Sequence, residues 1–173
     1  MVDSYRDAGL LRRVVRQAVA TRAGAWISAR WLHRVDHVVF RASRGRTTFS
    51  TIVSGLPVVM LTTTGARTGR PRTMPVLALQ DGRRMVVIAS NYGQRHNPAW
   101  YYNLRADGHA DVRVGSRSVA MTARELAGDE RERYFQRGLD IYPGWAQYRR
   151  RASHRDIPVI MLEPTSGEED GAK

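Results

Sequence analysis

Pro57–Ala89, with the sequence PVVMLTTTGARTGRPRTMPVLALQDGRRMVVIA, decides the fold. Pro57–Thr64 is a short apolar run ending in three threonines, and Gly65–Gly69 follows as a tight loop. Arg72–Leu79 reads as a second strand, Asp81-Gly82 as a hairpin turn and Met85–Ala89 as a third strand. Brief β-rich runs separated by glycine turns predict consecutive antiparallel strands.

The pattern continues downstream. Asn97-Pro98 predicts a helix start, with Asn97 as N-cap and Pro98 at the first helical position. That helix is expected to end near Asp107-Gly108, with the glycine in a left-handed cap. Ala110–Val114 and Ser118–Leu126 read as two more strands joined at Gly115-Ser116, and 129–138 as a helix with Asp129 and Glu130 at its positive end. Pro158–Leu162 is a sixth strand, and the acidic tail from Thr165 is expected to be loose. Six strands joined mainly by hairpins predict an α+β chain, mainly β with helices: an antiparallel six-stranded split β-barrel. No Gly-x-Gly-x-x-Gly turn follows a strand, which argues against a dinucleotide-binding parallel sheet.

Upstream, residues 9–44 have helical spacing. Leu10, Leu11, Val14, Val15, Ala18 and Val19 share one face, with Arg12, Arg13 and Arg16 opposite. Ile27, Trp31, Leu32, Val35, Val38 and Val39 repeat the pattern against Arg30 and Arg34. Two readings stay open: helices that cover the core, or a basic amphipathic segment on an anionic membrane with Trp26 and Trp31 at its interface. The expected organisation is thus an amphipathic segment over 1–45, a barrel over 46–164 and the tail from 165.

The chain has 173 residues, a formal net charge of +12 and no cysteine. Disulfides and thiolate chemistry are excluded, and a reducing, cytoplasmic setting is expected. The only lysine is Lys173, so the positive charge is arginine, which forks onto phosphates and carboxylates. The excess lies early: residues 1–55 hold ten Arg against three acids, and 56–127 ten against four. The uncharged run 47–66 is interrupted by Thr, Ser, Gly and Pro, and reads as loop plus strand rather than a membrane span.

Three clusters could carry chemistry. The first is Thr62–Arg72, where two glycines bracket a loop bearing Arg67, Arg70 and Arg72; free backbone N–H groups there would help to clamp an anion. It could equally be an ordinary solvated hairpin. The second is Ala89-Ser90-Asn91-Tyr92-Gly93 leading through Asn97 to Trp100 and Asn103: a strand end, a small-residue loop and a helix start. Trp100 is expected in the core, and a buried Asn103 must tie down a loop or bond a ligand. The third is Tyr142-Pro143-Gly144-Trp145-Ala146-Gln147-Tyr148, whose aromatics lie three apart and either wall a site for a flat ring or pack as a satellite core. No metal site is expected. His33 and His37 lie four apart without a third ligand, and neither a Ser-His-Asp set nor a nucleotide-binding P-loop is present.

Together these segments resemble the deazaflavin (F420)-dependent nitroreductase and quinone reductase family, with its split β-barrel. The resemblance is carried by Leu61–Pro75 (LTTTGARTGRPRTMP), Ala89–Leu104 (ASNYGQRHNPAWYYNL), Met121–Glu125 (MTARE), Ile141–Tyr148 (IYPGWAQY) and Ile157–Pro164 (IPVIMLEP). It implies an enzyme that binds reduced coenzyme F420 and passes hydride to a quinone or nitroaromatic acceptor. By similarity, Arg67, Thr68, Gly69, Arg72 and Pro75 would hold the cofactor's phosphate and glutamate tail. Ala89, Ser90, Asn91, Asn97, Trp100 and Asn103 would line its ring, while Ser90, Tyr142, Trp145 and Tyr148 would face the acceptor as catalytic residues. The chain departs from the family at Ala66, where a second basic residue is frequent, at Asn91 in place of a lysine, and at Trp145 in place of a tyrosine. These departures favour quinone over nitroimidazole as acceptor. A homodimer and peripheral contact with the inner membrane face are further expectations. The rival readings are a basic nucleic-acid-binding barrel and a flavin mononucleotide oxidase on a related barrel. The first lacks a recognition motif, and its aromatics lie away from the arginine excess.

Overall fold

The computed structural model describes residues 55–115 and 117–165 and, ahead of them, 9, 14–15, 17–19, 21, 31, 33–43, 49 and 51. Most of the first expected helix, Trp26 and the acidic tail lie outside the described residues. Within them, α1 spans His33–Ala42. Six strands follow: β1 (Val58–Thr64), β2 (Pro71–Asp81), β3 (Arg84–Ile88), β4 (His109–Val114), β5 (Arg117–Glu125) and β6 (Val159–Pro164). Helix α2 (Ala99–Ala106) joins β3 to β4, while α3 (Gly128–Ile141) and α4 (Gly144–Arg151) join β5 to β6.

The strands close into an antiparallel barrel in the order β1-β2-β3-β6-β5-β4. Alternating residues of all six strands form its interior, with Leu61, Val76, Val87, Val112, Met121 and Leu162 packed beneath Trp100, Tyr101 and Leu104 of α2. A second core lies outside the wall, where Val86, Ile88, Val159 and Met161 meet Phe135 of α3 and Trp145 and Tyr148 of α4. Strand β3 is therefore covered on both faces, which is why Met85–Ala89 is uniformly apolar rather than alternating.

Three local expectations are corrected. Asn97 does not cap α2: Pro98 takes the N-cap place in an extended conformation (φ −66°, ψ 154°), with no side-chain cap bond. Gly108 does not close that helix in a left-handed turn; Asp107 leaves it extended (φ −138°) and the chain runs directly into β4. Phe49 and Thr51, expected in a loop, are helical, and the Gly55 amide bonds the Thr51 carbonyl at 2.8 Å.

The β2–β3 hairpin is tied to α3 through Asp81. Its carboxylate accepts from Tyr134 Oη at 2.7 Å, Arg84 Nη2 at 2.7 Å and Arg137 Nη1 at 3.2 Å. These bonds, Tyr134's first, hold the Asp81 pKa below its ordinary value against the opposing effect of burial. A depressed carboxylate stabilises the fold above its unfolded pKa, near 4, and the contribution fades as pH falls through the folded value. Tyr134→Phe is expected to cost about 1 kcal/mol at neutral pH. In urea unfolding, the difference from the wild type should shrink below about pH 4.

Candidate functional site

The site begins where two strands part. Strand β2 pairs with β1 along 71–77 but with β3 only along 78–81, the last pair being Ala78↔Val87. Continued, that register would set Pro75 opposite Ser90. Instead β3 ends at Ile88, and Asn91–Gly93 turns away as a short 3-10 helix. Along 71–77, β2 thus has a strand on one side only. Proline is tolerated in a strand where one flank carries no ladder, which is where Pro75 sits. This break in the ladder, the slot between that flank and the Ser90 loop, is the split in the barrel, and α1 packs against β2.

At one end of the slot stands the β1–β2 hairpin. Gly65 permits its tight closure, since a Cβ there would lie 2.9 Å from Thr68 Oγ1 and 3.0 Å from the Arg70 carbonyl. Gly69 adopts φ +64°. Most of the expected free backbone donors are engaged. The amides of Gly65, Thr68 and Gly69 bond within the loop, Ala66 N bonds Asn103 Oδ1 at 3.0 Å, and Arg70 N reaches Thr68 Oγ1. Only the Arg67 amide is left, so the guanidiniums of Arg67, Arg70 and Arg72 are what the loop offers an anion. All three are exposed, and none has an ion-pair partner among the described residues.

Asn103 joins this hairpin to the second cluster. It is 8% exposed and donates from Nδ2 to Thr63 Oγ1 at 2.9 Å while accepting the Ala66 amide. Of the two roles the sequence left open, its side chain fills the loop-tying one. Trp100, as expected, is core. Asn91 bonds the His96 carbonyl through Nδ2 at 2.8 Å and has φ 45°, a left-handed conformation that asparagine accepts more readily than most residues. Asn97 Oδ1 accepts from Arg155 Nη1. All three asparagines shape the loop walls with one part of the amide. Ser90, by contrast, is 8% exposed and its hydroxyl has no partner among the described residues.

The third cluster lies on the outer core. Tyr142, Trp145 and Tyr148 are buried. Trp145 covers Gly138 of α3, where a Cβ would meet the indole at 2.5 Å, and the Tyr142 ring covers Gly144 in the same way. The two phenols bond at 2.8 Å, and Tyr148 donates to the Val19 carbonyl at 3.2 Å. Each phenol has one proton, so the direction is fixed: Tyr142 donates to Tyr148, which donates to Val19. Burial pushes the Tyr142 pKa up to about 12 and raises Tyr148 further, so both stay protonated near neutrality. Clusters two and three meet at Gly93, where a Cβ would lie 2.9 Å from Arg151 Cβ and 3.1 Å from the Tyr148 backbone. The Tyr92 ring meets Tyr148 edge-on at 6.0 Å. Sequence reasoning placed Gly93 in the second cluster without a role and missed Arg155, which is one arginine among many.

Comparison with known proteins accords with this architecture. An F420H2-dependent quinone reductase of Mycobacterium tuberculosis is 30% identical over 145 residues, covering 78% of this chain and 96% of its own. A solved F420-H2 dependent reductase, FDR-A, is 35% identical with a TM-score of 0.57, covering 62% of this chain and 94% of that one. A domain-swapped dimer is 30% identical with a TM-score of 0.60, over 75% and 94%. With these relatives, such a barrel is that of a deazaflavin-dependent oxidoreductase. The F420H2-dependent quinone reductase family profile matches residues 31–164, and the chain belongs to that family, with coenzyme F420 as its cofactor.

Asn103→Leu leaves the Ala66 amide and the Thr63 hydroxyl without their side-chain partner. The loss should destabilise the fold by about 1–3 kcal/mol, read as a lower denaturation midpoint.

Proposed function

We propose that the slot between β2 and the Ser90 loop is where this reductase brings reduced coenzyme F420 against a quinone, with nitroaromatics as a second acceptor class. The observation that carries the reading is the parting of β2 from β3 beyond Ala78, with three guanidiniums on the hairpin at the start of β2 and the Ser90 hydroxyl just past the end of β3, none of them partnered among the described residues. The residues present fit such a cofactor: a polyanionic tail needs fixed cations, and arginine grips phosphate and carboxylate through charge-assisted pairs. When bound, the deazaflavin supplies a hydride at its ring.

The protein's part is position and electrostatics. Arg67 and Arg72, with Thr68 and Gly69, hold the anionic tail, and Pro75 and Ala89 border the ring. Ser90 Oγ donates to an acceptor oxygen as charge develops there, with Asn91, Asn97, Trp100 and Asn103 keeping that wall in shape. Tyr142, Trp145 and Tyr148 back the acceptor's side of the site. Tyr142 is a neutral phenol held at a raised pKa with its proton given to Tyr148, so its part is to shape that wall.

The test is a fluorescence titration with oxidised F420, followed by turnover of F420H2 with a panel of quinones and nitroaromatics. Quinone-dependent oxidation of F420H2 is the expected result, and absence of F420 binding would overturn the site. Arg67→Ala should weaken F420 binding by about 1–3 kcal/mol, and added salt should narrow the gap to the wild type.

Two further readings concern partners. A homodimer is proposed from the domain-swapped relative. Contact with an anionic membrane is proposed from α1 and Trp31, two positions ahead of it: Trp31 is 52% and Val38 67% exposed, beside Arg34 and Arg41. Among the described residues no helix is long and apolar enough to cross a membrane. Sedimentation with anionic vesicles should fall in Trp31→Ala/Val38→Asp, and equal sedimentation would overturn the contact.

A further inference from the structure

The Ser90 loop is strained and yet fixed. Asn91, Tyr92 and Gly93 adopt φ values of 45°, 55° and 76° in succession. An aromatic residue in the left-handed region is costly, and such a conformation persists only where the surroundings over-determine it. On one side α4 supplies packing through Gly93. On the other stands Arg155, between α4 and β6 and half-buried.

The Arg155 guanidinium donates from all three of its nitrogens to this one loop. Nη2 reaches the Ser90 carbonyl at 3.0 Å, Nε the Gln94 carbonyl at 3.1 Å and Nη1 the Asn97 side chain at 2.5 Å. Nη1 also meets the Asp156 carbonyl at 3.2 Å, and neighbouring His154 Nε2 lies 3.1 Å from the Arg95 carbonyl. The fork makes no ion pair among the described residues. Burial lowers its pKa from the ordinary arginine value, but a guanidinium stays charged. A half-buried cation with no carboxylate partner is retained where its donors have fixed oxygens to meet, and here these span the loop from its first residue to its last.

We propose that Arg155 is a positioning residue of the reductase: it clasps 90–97 so that Ser90 is held facing the slot. The proposal rests on the slot reading only for its effect on catalysis; the clasp itself is a property of the free protein. A lysine has one nitrogen and cannot reach Ser90, Gln94 and Asn97 together, so the planar fork is what the arrangement requires.

The test uses the full chain with Arg155→Ala and Arg155→Lys, and Arg67→Ala as a reference on the hairpin. Hydrogen exchange at the amides of 91–97, measured without ligand, should quicken in Arg155→Ala and slow again on addition of methylguanidinium. The dissociation constant for oxidised F420 should rise about tenfold and kcat with a quinone should fall, both recovering with methylguanidinium, while Arg155→Lys recovers neither. Should Arg155→Ala not fold, Arg155→Gln is measured in the same way. Unchanged exchange in 91–97 overturns the clasp even if the melting temperature falls. Quickened exchange with F420 binding and turnover unchanged, while Arg67→Ala weakens binding, overturns the positioning role. Failure of the wild-type protein to bind F420 overturns the slot reading and leaves the exchange result to decide the clasp.

Discussion

Strand β2 outruns its neighbour. It keeps β1 as a partner from Pro71 onward, but β3 accompanies it only from Ala78. Backbone hydrogen bonding is what closes the barrel, so the stretch without a second ladder is a gap in the wall's hydrogen bonding. Everything assigned to the site is arranged around that gap. The hairpin turn that starts β2 carries the arginines, a proline sits where no ladder bond is needed on its open flank, and the chain leaving β3 supplies Ser90 two residues past the strand's end. Helix α2 then plugs the barrel mouth with Trp100 and Leu104, and its Asn103 fastens the hairpin in place.

Charge is apportioned in a way that separates binding from building. Arginines after residue 128 are largely engaged: Arg131 with the Ile157 carbonyl, Arg137 with Asp81, Arg149 with Glu132 and Arg155 with the Ser90 loop. Those on the β1–β2 hairpin have no ion-pair partner among the described residues. The net charge of +12 is therefore not spread as mere solubility, since part of it is concentrated at one end of the slot. A ligand with several negative charges would meet the hairpin first and be drawn along the gap from there.

The strands were legible because glycine turns and β-rich runs are local signals, and all six appear within a few residues of their expected bounds. The three clusters were legible too, as segments. What the sequence did not reveal is which atoms remain open. Asn91, Asn97 and Asn103 look like ligand-binding side chains in a linear reading, yet each commits part of its amide to a loop, and that depends on contacts with Thr63, Ala66, His96 and Arg155 brought together only by the fold. The cap of α2 was misplaced by one residue for the same reason, because the pull of Arg155 on Asn97 has no signature in the neighbouring sequence.

The bond from Tyr148 to the Val19 carbonyl reaches across most of the chain's length. It makes the amino-terminal segment the sink for a short phenolic wire: while residue 19 is in place, both hydroxyl protons are committed along it. Withdraw that carbonyl and the wire can reverse, leaving Tyr142 with a proton to offer. A chain shortened at its amino terminus would consequently leave the two phenols free to exchange donor and acceptor, although every barrel residue is retained.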